Sequence, residues 1–228
     1  MSDPERERKL RAMLLGHFCL AAIGCSYLQP AEARGDATTQ TGATTRTDTI
    51  DLSDPKKAFV SNVMACLNAD AAAMKRCVYI ASPADEPQIE SEIQNALAHR
   101  QFAKAAEARF GVDADPTGPG MSFTEKSLRS VIEQIGMMQV DQDGKRASLS
   151  SPDRNKRKSM IKTAEGWKVE GSHFGLAADR DAFEKRNRAE TEMLHGLTQQ
   201  LEQGTFKDIQ AVRAAYKQGQ RDLGAMRK

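Results

Sequence analysis

The residue types able to do chemistry are few and dispersed. The four histidines, His17, His99, His173 and His195, form no metal-ligand constellation at helical or hairpin spacing. His99 falls in a helical pattern and is expected on its solvated face. His173 follows the last strand-like segment, where a sheet pocket would open, and is the candidate general base. There is no G-x-S-x-G, no C-x-x-C and no glycine-rich phosphate loop after a strand. Asp141-Gln142-Asp143-Gly144 has the first half of a calcium loop but lacks its closing carboxylate, so we read it as a hairpin turn. The run Arg154-Asn155-Lys156-Arg157-Lys158 could grip an anionic surface; we read it as the solvated edge of a strand. Met121, Met137, Met138 and Met160 read as core filling, with an apolar pocket as the sharper alternative. No motif calls for a cofactor or a metal.

These residues are positioned by a chain of 228 residues in which 33 Lys and Arg balance 31 Asp and Glu, a balance that argues against a nucleic-acid partner. Arg6, Arg8, Lys9 and Arg11 precede an apolar run from Ala12 to Leu28, the basic and hydrophobic regions of an export leader. Two processing routes compete: cleavage after Ala33, or a lipobox at Ala22-Ile23-Gly24-Cys25 that would lipidate Cys25. Residues 34–53 are Thr-rich and nearly free of apolar side chains, so they read as a disordered tether.

Folded structure is expected from Asp54. Ser53-Asp54-Pro55 starts a helix bearing Phe59, Val60, Val63, Met64 and Leu67 on one face. A short helix over 71–76 leads into an extended segment, Cys77 to Ala81. A long helix follows, carrying Ile89, Ile93, Leu97, Phe102, Ala106 and Phe110, and Gly111 stops it. Ser122 and Glu125 form a capping box for a helix with Leu128, Val131, Ile132 and Ile135. From Gly136 to Gly171 the pattern changes to period two, cut by turns at Asp143-Gly144, at 152–155 and at Glu165-Gly166. Met138 and Val140 are expected to face the core, with Ile161, Trp167 and Val169 on the core or pocket side of later strands. Two more helices follow, the first with Leu194, Leu197 and Leu201 near heptad spacing. The expected fold is α+β: N-terminal helices packed on a small antiparallel meander sheet, then a C-terminal helical pair. The expected divisions are a leader, 1–33; the tether, 34–53; the α+β domain, 54–171; a helical extension, 172–218; and a frayed tail, 219–228.

The helix order and the closing strand pair Lys162-Thr163-Ala164-Glu165-Gly166-Trp167-Lys168-Val169 resemble the nuclear-transport-factor-like superfamily, a cystatin-like α+β cone. The resemblance spans about Asp54 to Gly171, and leader and tether resemble those of exported bacterial proteins. It implies a sheet curled around a pocket. That fold hosts enzymes and interaction modules alike, so it assigns no activity.

Three functions follow as expectations. The leading one is an exported protein, periplasmic or extracellular, or held on a membrane by its leader or a lipid anchor. It is non-enzymatic and binds a partner protein or an apolar ligand. The alternatives are a small pocket hydrolase or isomerase using His173, and an envelope protein forming homo-oligomers through its C-terminal helices, whose leucine stripe must be covered. Removal of the leader would leave Cys66 and Cys77, close in sequence across a helix break. Outside the cytoplasm such a pair is expected to form a disulfide.

Overall fold

The computed structural model describes residues 50–118, 122–152, 157–170 and 177–225. Helix α1 (Pro55–Leu67) starts where the Asp54 carboxylate accepts from the Lys57 N–H, and α2 (Ala71–Cys77) where Asp70 does the same for Ala73. Strand β1 (Val78–Tyr79) is followed by a 3-10 turn, Pro83–Asp85, with a Ser82–Asp85 capping box. The turn opens α3 (Glu86–Phe110). Gly111, at φ +99°, ends α3. Helix α4 (Glu125–Met137) is capped by Thr124 rather than by the expected Ser122, whose hydroxyl instead sits 3.1 Å from that of Thr124.

The period-two stretch forms β2 (Gln139–Asp143), β3 (Arg146–Ser150), β4 (Arg157–Thr163) and β5 (Gly166–Glu170). Gly144, at φ +55°, makes the β2–β3 turn with Lys145. The sheet order is β1-β5-β4-β3-β2, and β1 pairs parallel to β5. The sheet is therefore mixed, not purely antiparallel: the short Cys77–Ala81 segment joins it because α2 returns the chain alongside β5. The fold is α+β, with helices packed on the sheet and a C-terminal pair, α5 (Ala177–Glu202) and α6 (Ile209–Ala225).

Cross-strand register sorts the two faces of the sheet. Val140 lies opposite Leu149, Ala147 opposite Met160, and Met160 opposite Val169. These residues share the inner face, which with Trp167 packs against Phe59 and Val63 of α1 and Met74 of α2. Lys158 and Lys162 also point to this side, and their ammonium groups sit over the rings of Phe59 and Trp167 at 6.0 and 5.8 Å. Ile161 pairs with Arg146 and Lys168 on the outer face, which corrects its expected place. Met160 and Ile161 are adjacent apolar residues, and a one-residue choice of phase reverses every side chain of the strand.

Helix α3 is the centre of the molecule. One side gives Ile89, Ile93, Ala96, Leu97 and Ala103 to the sheet-side core. The other gives Ala98, Phe102 and Ala106 to a second core with Leu194, Leu197 and Leu201 of α5, and Val212 and Tyr216 of α6. Among the described side chains of α5 the buried positions are Asn187, Glu190, Leu194, Leu197 and Leu201, spaced three and four apart. On α3, Gln88, Glu92, Asn95, His99, Phe102 and Ala106 have the same spacing. Contacts at Asp85–Arg180, Asn95–Asn187, His99–Glu190 and Arg109–Leu201 run in the same order along both helices, so the pair is parallel. The leucine stripe of α5 is covered within the chain, which removes the reason for seeking an oligomer there.

Ordered packing also exceeds the expected boundaries at both ends. The Trp167 N–H donates to the Leu52 carbonyl at 2.8 Å, inside the expected tether. Gly166, at φ +116°, is required at this crossing, because a Cβ would stand 2.5 Å from the Leu52 oxygen. At the other end α6 continues past Gly219 to Ala225, where a frayed tail was expected.

Candidate functional site

Of the residues expected at a core or pocket, Trp167, Val169 and Met138 are buried in the sheet-side core. Trp167 is 3% exposed and enclosed by packed side chains, so it fills the core rather than lining an opening. Val140 departs from expectation. Its side chain is on the inner face, yet it is 42% exposed, because β2 is the outermost strand and α1 lies over β5 and β3. His173 and Cys25 lie outside the described residues, as do both processing sites. Residues 154–156 of the basic run lie outside them too. The remaining Arg157 and Lys158 begin β4, where they pair with β3 ahead of the part of the strand that pairs with β5.

Cys66 and Cys77 are buried with free thiols, and the expected bridge is not formed in this structure. Each packs as a small apolar side chain, Cys66 within the sheet-side core. Burial pushes the Cys66 thiol up to about 12 and that of Cys77 up to about 11, which leaves little thiolate for nucleophilic chemistry.

His99 is not on a solvated face. It is 1% exposed, stacked on Phe123 at 4.9 Å between ring centroids and edge-on to Tyr216 at 6.3 Å. Its Nε2 lies 3.4 Å from Glu190 Oε1, an ion-pair distance without the alignment of a hydrogen bond. The Gln220 amide donates to both Glu190 Oε1 and the Tyr216 hydroxyl. Burial raises the Glu190 carboxyl, but His99, Gln220 and the Arg186 charge together outweigh it and hold the group below the usual carboxylate range. The Tyr216 hydroxyl is pushed up by burial and by the Glu190 charge. This junction has the parts of an acid–base pair, but it joins α3, α5 and α6 from inside the core. The chemistry it supports is helix docking. Its sequence signal is the three-four spacing on α3, which continues from Gln88 through His99 into Phe102 and Ala106.

Two arginines of α3 make related joints. Arg100, also buried, donates to the Leu67 carbonyl at the end of α1, to Glu107 and to the Phe123 carbonyl. Arg109 donates to the carbonyls of Leu201, Gly204 and Phe206 and closes the end of α5.

The accessible features are different in kind. An open groove of about 610 Å³ runs between α3 and α5, lined by Lys104, Ala105, Ala108 and Thr198 among others. The other is the free edge of the sheet. All five residues of β2 are exposed, and among the described residues nothing in the sheet order lies beyond it. Met137, 64% exposed, ends α4 immediately before this strand, and Val140 is on it. The Lys162 N–H donates to the Lys145 carbonyl, which fixes the alternation of the ladder. Residues 147 and 149 therefore direct their backbone groups to β4, while 146, 148 and 150 direct theirs to β2. On β2 itself, Val140 and Gln142 are left with N–H and C=O aimed away from the sheet.

No protein-family model matches the chain, and no curated protein and no solved structure matches it. Among the described residues, no group of three or more His, Cys, Asp or Glu is arranged to hold a metal. No helix among them is long and apolar enough to cross a membrane.

Proposed function

We propose that this chain is an exported, non-enzymatic α+β domain whose work is to bind a partner protein. The observation that carries the reading is the exposed β2 edge, with Met137 and Val140 beside it. Exposed apolar side chains next to unpaired strand backbone are what a docking surface needs. The packing of Trp167 favours a partner protein over an apolar ligand, since the sheet-side core is filled by its own side chains. The buried polar groups favour binding over catalysis: His99 and Glu190 are engaged with each other and with α6. Export rests on the basic leader and the Thr-rich stretch behind it.

The test uses the full chain in its native host. A photo-crosslinking amino acid is placed in turn at Val140, at Lys104 in the α3–α5 groove and at exposed Lys207. Crosslinking to one protein from one of these faces, with a mature mass lacking the leader, is the expected result. No crosslink from any face, or a mature mass that begins at Met1, overturns the reading.

A further inference from the structure

The β2 edge also carries information about what it binds. Gln139, Asp141 and Asp143 share the outer face of the strand, because Val140 and Gln142 share the inner one with Leu149 and Ala147. No ion pair involving Asp141 or Asp143 is present among the described residues, and both side chains are exposed. Arg146, directly opposite Asp143, extends the other way, its guanidinium 3.9 Å from Glu170 on β5. The edge thus presents two carboxylates at a spacing of two residues, together with the outward N–H and C=O of Val140 and Gln142.

We infer that β2 accepts an extended segment of a partner polypeptide as a sixth strand, and that this segment carries Lys or Arg at alternate positions opposite Asp141 and Asp143. The backbone groups of Val140 and Gln142 supply the ladder, and the carboxylates select the charge. On the inner face the residue between the two basic positions lies opposite Gln142, and the residue next to the Asp141 partner lies opposite Val140, where an apolar side chain extends the sheet-side core. The required pattern, read along β2 from Val140 to Asp143, is apolar, basic, unrestricted, basic. The same carboxylates argue against a second copy of this chain as the occupant. Two β2 edges brought together place acidic rows side by side on one face, and like charges across a strand pair oppose pairing. The basic strand answers both the unpaired backbone and the unpaired charge.

This inference rests on the partner-binding reading and names the surface and chemistry of that binding. The probe is an acetylated, amidated peptide of about seven residues alternating Lys and Val, titrated into the full mature chain and followed by amide chemical shifts. The expected result is saturable binding with shifts centred on β2. Methylating alternate peptide amides should weaken it about tenfold or more, the cost of losing ladder bonds. The double variant Asp141→Asn, Asp143→Asn should weaken it by about fivefold and flatten its salt dependence, while the protein's melting temperature stays that of wild type. The inference is overturned by a peptide with Glu in place of Lys binding equally well, by indifference to amide methylation or to the double variant, or by no binding at about 1 mM peptide. A concentration-dependent dimer whose shifts map to β2 would also overturn it, by assigning the edge to a second copy. A silent peptide combined with a partner crosslinked from Lys104 or Lys207 would end this inference and leave the partner-binding reading standing.

Discussion

The two halves of the α3–α5 contact have the same geometry and opposite composition. In the second half, Phe102 and Ala106 meet Leu194, Leu197 and Leu201. In the first half the equivalent positions are Gln88, Glu92, Asn95 and His99 on α3, and Asn187 and Glu190 on α5. Spacing alone places both sets against the neighbouring helix. The apolar half is held by removal of surface from water, which is tolerant of small changes in register. The polar half is held by directed contacts: the Asn95 amide reaches the Asn187 carbonyl and the Thr191 hydroxyl, and His99 meets Glu190. Directed contacts add less stability and specify alignment more strictly. The polar half also lies between the Asp85–Arg180 ion pair and α6, so a shift along the helix would break several of its contacts together.

Replacement of side chains in each half gives the sharpest test of this contrast. Phe102→Ala should destabilise the protein by about 3–5 kcal/mol in denaturant unfolding, through lost burial and a residual cavity. A loss below about 1 kcal/mol would mean that the second half is not a core. In the first half, Glu190→Leu alone should cost about 1–3 kcal/mol, because it leaves buried His99 without its carboxylate partner and takes one of two acceptors from the half-buried Gln220 amide. The double variant His99→Leu, Glu190→Leu should recover most of that loss, since a buried pair replaced whole is often neutral. A double variant worse than the sum of its singles would refute the directed-contact account.

The same pair has a pH signature. The folded Glu190 carboxyl lies below its ordinary value of 4.5, so its contribution is fully present above that pH and is lost as pH falls through the folded value. Wild-type stability should therefore drop more steeply below about pH 4.5 than that of Glu190→Gln, measured by urea midpoints across the acid range. Identical acid limbs would show that the carboxylate is not held by His99 and Gln220. The smallest effect is expected farthest from both halves: Val140→Lys on the exposed edge should change stability by no more than about 0.5 kcal/mol. A larger loss would place Val140 in the core after all.

Much of the fold was legible in the sequence because its signals are local. The Asp54-Pro55 start, the stop at Gly111, the Gly144 turn and the switch to period two after Gly136 each act within a few residues. The candidate site was much less legible. Val140 has the pattern of a half-buried strand, but burial of an inward residue depends on whether a helix reaches the outermost strand. His99 has the composition of a solvated face, but it is covered by Tyr216 and Glu190, more than ninety residues later in the chain. The three-four spacing on α3 was readable and would have flagged His99 had polar residues been counted along with apolar ones.

The sequence by itself therefore determined the element types, their order and the caps and turns between them, since backbone preference and side-chain period are properties of short segments. It also determined which residues of α5 would need cover. The tertiary structure alone decided what covers them, that β1 joins β5 in parallel, that Met160 faces inward in place of Ile161, and that β2 is left with an open edge. Each of these is a choice between alternatives of nearly equal local energy. Contacts between segments far apart in the chain decide them, through the area they bury and the polar groups they leave paired or unpaired.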